Sequence, residues 1–168
     1  MPPGGTTEKI PSVIMESRLK SLCVAAGLPC EEDVTDLACF QVDEKLMLML
    51  VADEQTGLLS VECDLAIVLP EDRTEACRLI AVANYRFLQT DGSTLGLDPV
   101  SGTVSLCRRV ALGSLDETGF PILITRFLDT AERWQGRLAK LPNERGIAGE
   151  DTSTNSSGSI SDFLNARA

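Results

Sequence analysis

The segment LGLDPVSGTVSLCRRV, residues 95–110, constrains the fold of this chain more than any other part of the sequence. An alternating apolar run ends at Asp98-Pro99, and a second run begins at Thr103, directly after Gly102. Proline presets φ for a turn, and an aspartate side chain can accept hydrogen bonds from nearby backbone N–H groups. Two strands separated by such a turn predict a β-hairpin.

Three more strands are predicted upstream of this hairpin. Leu37–Val42 alternates, with Ala38, Phe40 and Val42 on one side, and Leu46–Val51 is apolar on both sides. Leu59–Ile67 also alternates, and the residues expected to point inward are Leu59, Val61, Cys63, Leu65 and Ile67. The short connections around residues 43–45 and 53–57 are typical of an antiparallel meander.

Three helices complete the predicted domain, at Ser12–Ala26, Pro70–Leu88 and Pro121–Leu141. The third has the clearest amphipathic pattern, with Phe120, Ile124, Phe127, Ala131, Trp134 and Leu138 at helical spacing. We therefore predict one compact α+β domain over residues 12–141, with element order α-β-β-β-α-β-β-α and an antiparallel sheet. Residues 1–11 are predicted to be a flexible N-terminus, and residues 142–168 a polar disordered tail that includes a candidate binding segment, Ile160–Leu164.

The second predicted helix is apolar nearly all the way round between Leu79 and Leu88. A helix on one face of a sheet needs only one apolar stripe, here Ala76, Leu79, Ile80, Ala83 and Phe87. A second stripe is left over, formed by Cys77, Ala81, Val82 and Tyr85. Either another part of the same subunit covers this stripe, or it forms a subunit interface, and we favour the interface.

The charge of the chain narrows the classes of partner. The chain has a net charge of −10, and residues 31–75 alone hold 13 acidic but only 2 basic side chains. An acidic face argues against nucleic acid and anionic membrane, since both need basic surface. It suits a basic or polar polypeptide partner, although solubility alone would also explain it. No apolar run approaches the ~20 residues of a membrane span, and the N-terminus does not look like a signal peptide, so a cytoplasmic protein is expected.

The sequence offers no recognisable catalytic or metal-binding group. Histidine is absent and the six cysteines form no CxxC pair, so we expect no metal, no cofactor and reduced, mostly buried thiols. Ser–His and Cys–His catalysis is excluded, and no nucleotide-binding glycine motif is present. Paired acids such as Asp43-Glu44 lie at predicted turns, where solvated charge is the usual explanation. An enzyme is not expected.

The element order resembles that of the class I type III secretion chaperones, the Tir chaperone family. The resemblance covers about residues 12–140 and depends on the hairpin, on Ala83-Asn84-Tyr85 and on FLDTAERWQGRL, residues 127–138. It implies a bacterial cytoplasmic homodimer that binds the N-terminal segment of one or more secreted effectors in extended form. The chaperone would keep that segment soluble and export-competent and target it to the secretion apparatus, without cofactor or nucleotide.

By the same resemblance we assign two candidate surfaces. The effector-binding groove is predicted to contain Met15, Leu19, Leu22, Cys23, Met47 and Met49, because flexible methionines tolerate varied partners. Plain core packing is the alternative for each of them. The dimer interface is predicted to contain Val82, Tyr85, Arg86, Leu95 and Leu97.

Two other functions stay open. The first is a dimeric regulatory or adaptor protein of the same fold, which would bind a folded partner. The second is a small enzyme or thiol-based redox protein, which requires at least one cysteine with a strongly depressed pKa.

Overall fold

The predicted order of helices and strands is present in the computed structural model, which describes residues 12–29, 37–42 and 45–141, with side chains from residue 16. The elements are α1 (Ser12–Ala25), β1 (Leu37–Val42), β2 (Leu46–Asp53), β3 (Leu58–Ile67), α2 (Arg73–Asn84), β4 (Thr94–Leu97), β5 (Thr103–Ala111) and α3 (Gly119–Leu138). Short 3₁₀ turns lie at Pro70–Asp72, Tyr85–Phe87 and Leu112–Ser114. The two predicted terminal segments, 1–11 and 142–168, lie outside the described residues.

The five strands form one antiparallel sheet in the order β1-β2-β3-β5-β4. The first three strands make the predicted meander. Helix α2 then connects β3 to β4, and β4 does not pair with β3. Strand β5 returns to pair with β3, which leaves β1 and β4 at the two edges. The predicted fold class, α+β with an antiparallel sheet, is therefore confirmed.

The β4–β5 turn shows why its sequence contains Asp98 and Gly102. The Asp98 carboxylate accepts hydrogen bonds from the Ser101 hydroxyl and from the Val100 N–H, the latter at 2.9 Å, and these bonds lower the pKa of Asp98. Gly102 has φ +79°, and a Cβ there would lie 2.5 Å from the Val68 carbonyl oxygen. Both the backbone conformation and the close approach require glycine.

One face of the sheet is buried and forms the core with the helices. Helix α3 packs on β3, α1 packs on α3, and α2 lies against β4. All six residues of the predicted α3 stripe are buried: Phe120, Ile124, Phe127, Ala131, Trp134 and Leu138. The indole N–H of Trp134 donates to the Gln89 carbonyl at 3.0 Å, which satisfies the polar group of this core side chain.

The prediction that Ile67 points into the core is wrong. Between Asp64 and Ala66 the β3–β5 register shifts by a β-bulge. A bulge adds one residue to one strand and so moves every later side chain to the opposite face. Ile67 is consequently 74% exposed, although Leu65 before it is buried as predicted.

The prediction that α2 reaches Leu88, with Phe87 against the sheet, is also wrong. The helix ends at Asn84, and Arg86 and Phe87 both have left-handed backbone conformations, with φ +56° and +57°. The chain therefore leaves the helix axis, and Phe87 is 51% exposed. The four earlier residues of the predicted sheet-facing stripe are buried: Ala76, Leu79, Ile80 and Ala83.

Asn84 connects the end of α2 to the edge of the sheet. Its Nδ2 donates to the Leu95 carbonyl and its Oδ1 accepts from the Leu95 N–H, both at 2.9 Å. Leu95 pairs with Leu106 of β5. Its backbone N–H and C=O groups point away from β5, where β4 has no neighbouring strand to bind them. The side chain thus replaces one missing neighbour of an edge strand.

We expect Asn84→Ala to lower the free energy of unfolding by about 1–3 kcal/mol, because it leaves a donor and an acceptor of Leu95 without partners. Urea denaturation followed by circular dichroism at fixed protein concentration measures this loss. Glu132→Ala, an exposed substitution on α3, is the control and should change stability by less than about 0.5 kcal/mol. Equal effects of the two substitutions would contradict the role assigned to Asn84.

Candidate functional site

The sheet face opposite the helices carries an apolar strip on β1 and β2. Leu37 lies opposite Val51, and Cys39 lies opposite Met49, on adjacent strands. Met47 follows on the same face and is 46% exposed, while Leu37 is 51% exposed. We call this set the open sheet face: Leu37, Cys39, Met47, Met49 and Val51. Large apolar side chains side by side on an exposed sheet are typical of a surface that another polypeptide covers.

Polar groups border this strip on β3 and β5. Met49 lies opposite Glu62, and Glu62 lies opposite Cys107 on the next strand. One row further, the Ser105 hydroxyl donates to Asp64. Arg109 is the cation of this border and donates to the Ser60 hydroxyl at 3.3 Å. The outer side of the sheet is therefore apolar at the open sheet face, near the β1 edge, and mainly polar, with two carboxylates, toward the middle of the sheet.

The two edges of the sheet differ in what they offer a partner. In the described part of the chain β1 pairs only with β2, so the outer backbone groups of its six residues are available to an added strand. Strand β4 has only four residues, and Asn84 occupies both outward groups of Leu95. The β1 edge is the better template for an extended peptide, and it adjoins the open sheet face.

The six residues predicted for the effector-binding groove do not lie on one surface. Leu19, Leu22 and Cys23 are buried in the core beneath α1. The two methionines of β2 lie on the other side of the sheet, because alternate residues of a strand point to opposite faces. Met15 lies in α1, but its side chain is outside the described residues.

A second exposed apolar surface lies where α2 ends. Val82 is 46%, Tyr85 69% and Phe87 51% exposed, and we call these three residues the α2 apolar surface. Cys77 and Ala81, also from the predicted left-over stripe, are exposed as well. No described residue of the same chain covers this stripe, and its role as a subunit interface stays a prediction.

The residues predicted for the dimer interface are divided between this surface and the strand below it. Val82, Tyr85 and Arg86 are exposed at the end of α2, whereas Leu95 is buried and Leu97 is partly buried on the edge strand β4. Sequence reasoning missed Phe87, because arginine followed by phenylalanine gives no signal for two left-handed residues. Such conformations cost roughly 1–2 kcal/mol per residue and cluster at functional sites.

Two of the described cysteines, Cys63 and Cys107, have an environment opposite to that of a redox site. Cys23 and Cys63 are buried, while Cys39 and Cys77 are exposed. Burial, with Asp64 nearby, raises the pKa of the Cys63 thiol to about 11, and burial and Glu62 raise that of Cys107. A reactive cysteine needs a lowered pKa, so these two thiols have the opposite chemistry.

The described residues form neither a metal-ligand cluster nor a membrane-spanning helix. Nowhere in residues 12–29, 37–42 and 45–141 do three or more cysteine, aspartate or glutamate side chains group as they would around a metal ion. None of the helices described there is both long and apolar enough to cross a membrane.

Comparison with known protein families decides what kind of protein this surface belongs to. Residues 17–135 match the Tir chaperone protein (CesT) family. The chain belongs to this family. The resemblance found in the sequence is thus confirmed, and the protein has the chaperone role of a Tir chaperone family member. No curated protein sequence gives a significant match to the chain.

Solved structures show the same fold. The ExsC–ExsE complex contains a chain that is 24% identical, with a TM-score of 0.62 over 76% of this chain and 95% of that one. The ExoT–SpcS complex from Pseudomonas aeruginosa matches at 23% identity and TM-score 0.53, covering 71% and 96%. The HopA1–SchA chaperone–effector complex matches at 19% identity and TM-score 0.55, covering 76% and 98%. At these identities the likeness establishes the fold.

We expect native alkylation to separate the cysteines by exposure and pKa. At pH 8 iodoacetamide should label Cys39 and Cys77 first, whereas Cys63 should react only after unfolding, because a pKa near 11 leaves about one thiol in a thousand ionised. Mass spectrometry of peptides after timed quenching gives each rate, and the same reaction in urea is the control. Rapid native labelling of Cys63 would restore the thiol-based function as a candidate.

Proposed function

We propose that this protein is a type III secretion chaperone that binds the N-terminal segment of one or more secreted effectors in extended form. The observation that carries the proposal is the open sheet face beside the β1 edge, which pairs with no described strand other than β2, in a member of the Tir chaperone family. Structures with the same fold include a chaperone–effector complex and the ExoU–SpcU complex from a type III secretion system.

Binding at this site follows from the chemistry of strands. An extended segment can add main-chain hydrogen bonds to the outer side of β1 and place alternate side chains over Leu37, Met47 and Met49. Methionine adjusts its shape to different partners, which suits a site that accepts more than one sequence. Covering an apolar segment in this way keeps it from aggregating while it has no tertiary structure.

Charge supports a polypeptide with basic or polar residues as the occupant. Most of the net −10 comes from residues 31–75, which include all three strands of the meander. Carboxylates near a binding edge steer cationic segments toward it and disfavour acidic ones. We place the chaperone in the bacterial cytoplasm, where the effector segment is available before export, and assign it no enzymatic step and no cofactor.

We further propose that the protein is a homodimer joined through the α2 apolar surface. Val82, Tyr85 and Phe87 would be removed from water by the same surface of a second subunit, as a two-fold interface requires. A few well-buried residues, among which tyrosine is enriched, supply most of the binding energy of a typical interface. Strand β4, with Leu95 and Leu97, lies beneath this contact and supports it through Asn84.

Co-expression with candidate effectors from the same genome tests the chaperone proposal. We expect a complex that needs only the effector's N-terminal segment, and we expect Met47→Asp to weaken it by about tenfold or more, since a charge would be buried against an apolar partner. Isothermal titration with the purified segment measures the affinity. Ile122→Asp, which changes an apolar side chain of α3 that is 60% exposed, is the matched control and should bind as the native protein does.

The adaptor alternative predicts the opposite selectivity. A protein that ignores every isolated N-terminal segment and captures a folded regulator would contradict the chaperone proposal. An effect of Ile122→Asp equal to that of Met47→Asp would instead contradict the location of the site on the open sheet face.

Sedimentation velocity tests the dimer. We expect the native chain to sediment as a dimer and Tyr85→Asp to sediment as a monomer, because two carboxylates would face each other across the two-fold axis. Unchanged circular dichroism would show that the variant is folded, and Ile122→Asp is again the control. A monomeric native chain, or a Tyr85→Asp variant that is still dimeric, would contradict the assigned interface.

A further inference from the structure

Cations are concentrated at the C-terminal end of α3 in an otherwise acidic chain. Residues 133–141 contain Arg133, Arg137 and Lys140 and no acidic residue, although the chain as a whole has a net charge of −10. Arg133 and Arg137 are one helical turn apart and therefore lie on the same side of α3. Both are exposed.

These two arginines converge on a groove between α3 and the turn that follows α2. Arg137 Nη1 donates to Gln89 Oε1 at 2.9 Å, and Arg133 Nη2 lies 3.4 Å from the Gln89 carbonyl oxygen. The Arg137 guanidinium also stacks over the Trp134 ring, 4.8 Å from its centroid. Leu88, which is 64% exposed, completes the lining of this groove of about 330 Å³.

The partners of these guanidinium groups within the chain are uncharged. The ion pairs among the described residues involve Arg78, Arg108 and Arg126, and none involves Arg133 or Arg137. Neutral acceptors hold the two guanidinium groups in place without cancelling their charge. Each arginine keeps further N–H donors in a planar fork that fits a carboxylate.

Stabilisation of the helix end does not account for this arrangement. A cation in the last turn interacts favourably with the helix dipole, and Arg137 gains from this effect. Arg133 lies five residues before the last helical residue, Leu138, where the dipole effect has largely fallen off. Helix stabilisation also gives no reason for an exposed leucine beside the two cations.

From this geometry we propose that the groove of Leu88, Gln89, Arg133, Trp134 and Arg137 binds an acidic segment of a partner protein, with carboxylates on the two arginines and an apolar side chain on Leu88. A short peptide meets the two arginines of the groove directly, while Asp91 and Asp129 lie in the adjoining pocket beside Leu88 and Arg133. A long polyanion such as nucleic acid would also meet the surrounding negative charge, which favours the peptide.

The proposed partner differs from the effector segment in both charge and place. The groove lies on the helical side of the sheet, and the open sheet face lies on the other side. The protein can therefore hold an effector segment and dock to an acidic partner at once. The inference concerns different residues from the chaperone proposal, and either can fail while the other holds.

The test uses a fluorescein-labelled synthetic peptide in which aspartate and leucine alternate, titrated against the full chain. We expect saturable binding by fluorescence anisotropy, about tenfold weaker for Arg133→Ala combined with Arg137→Ala. Arg78→Ala, which removes an exposed arginine of α2 that pairs with Glu75, should bind within about twofold of the native chain. The peptide with asparagine in place of aspartate should bind about tenfold more weakly than the acidic one.

The single tryptophan reports where the peptide binds. Trp134 is the only tryptophan of the chain, and its indole N–H donates into the groove wall at Gln89. We expect the NMR resonance of the Trp134 indole N–H to shift as the peptide binds, in proportion to the rise in fluorescence anisotropy. Binding that leaves this resonance in place, or that survives in the double variant, would overturn the proposal. If Asp162→Asn in the full chain tightened peptide binding about tenfold, the occupant would be the chain's own C-terminal segment and the partner assignment would be wrong.

Discussion

The sheet buries one face only, and the position of every other functional feature depends on that asymmetry. Helices α2 and α3 pack on the inner face and α1 packs on α3, and the leucines of β2 pack there with alternate residues of the neighbouring strands. Strand alternation then places Met47, Met49 and Val51 on the outside. A residue of β2 cannot serve both the core and an outer surface. The apolar outer strip is therefore not needed for folding of the single chain, which is why we assign it to a partner.

The same asymmetry explains the difference between the two sheet edges. At β4 the chain provides its own substitute for a neighbouring strand, since Asn84 binds both outward groups of Leu95. At β1 no described residue does so. Unpaired edges are a liability in proteins that must stay monomeric or dimeric. A chaperone for extended segments can use such an edge, because main-chain hydrogen bonds accept any sequence and leave selectivity to the side chains beside them.

Sequence reasoning succeeded where side-chain periodicity decides the structure. The period of two in β1 and β2 and the helical spacing of Phe120, Phe127 and Trp134 each identify a buried face. It failed at Ile67 and Phe87, where one bulge and two left-handed residues interrupt the period. Neither interruption is predicted by the residues that form it, because Leu65, Arg86 and Phe87 are not glycine, asparagine or proline.

The candidate site was harder to predict than the fold for a related reason. Leu19, Leu22 and Cys23 were grouped with the methionines because all are apolar, but apolar character does not say which side of a sheet a residue occupies. That requires the packing of α1, which is a tertiary property. The Arg133–Arg137 groove was also invisible, since its wall at Gln89 exists only because α2 stops at Asn84.

The early end of α2 also connects the two surfaces on the helical side. Because the helix stops at Asn84, the next residues turn outward and expose Tyr85 and Phe87, while Leu88 and Gln89 are brought against α3. Hydrogen bonds on both sides hold Arg86 and Phe87 in this strained conformation. Asn84 binds Leu95 before the turn, and Gln89 binds Trp134 after it. A longer helix would have buried Phe87 against the sheet and removed both the proposed dimer contact and the groove. The left-handed turn is thus the local feature from which the proposed interactions of this side arise.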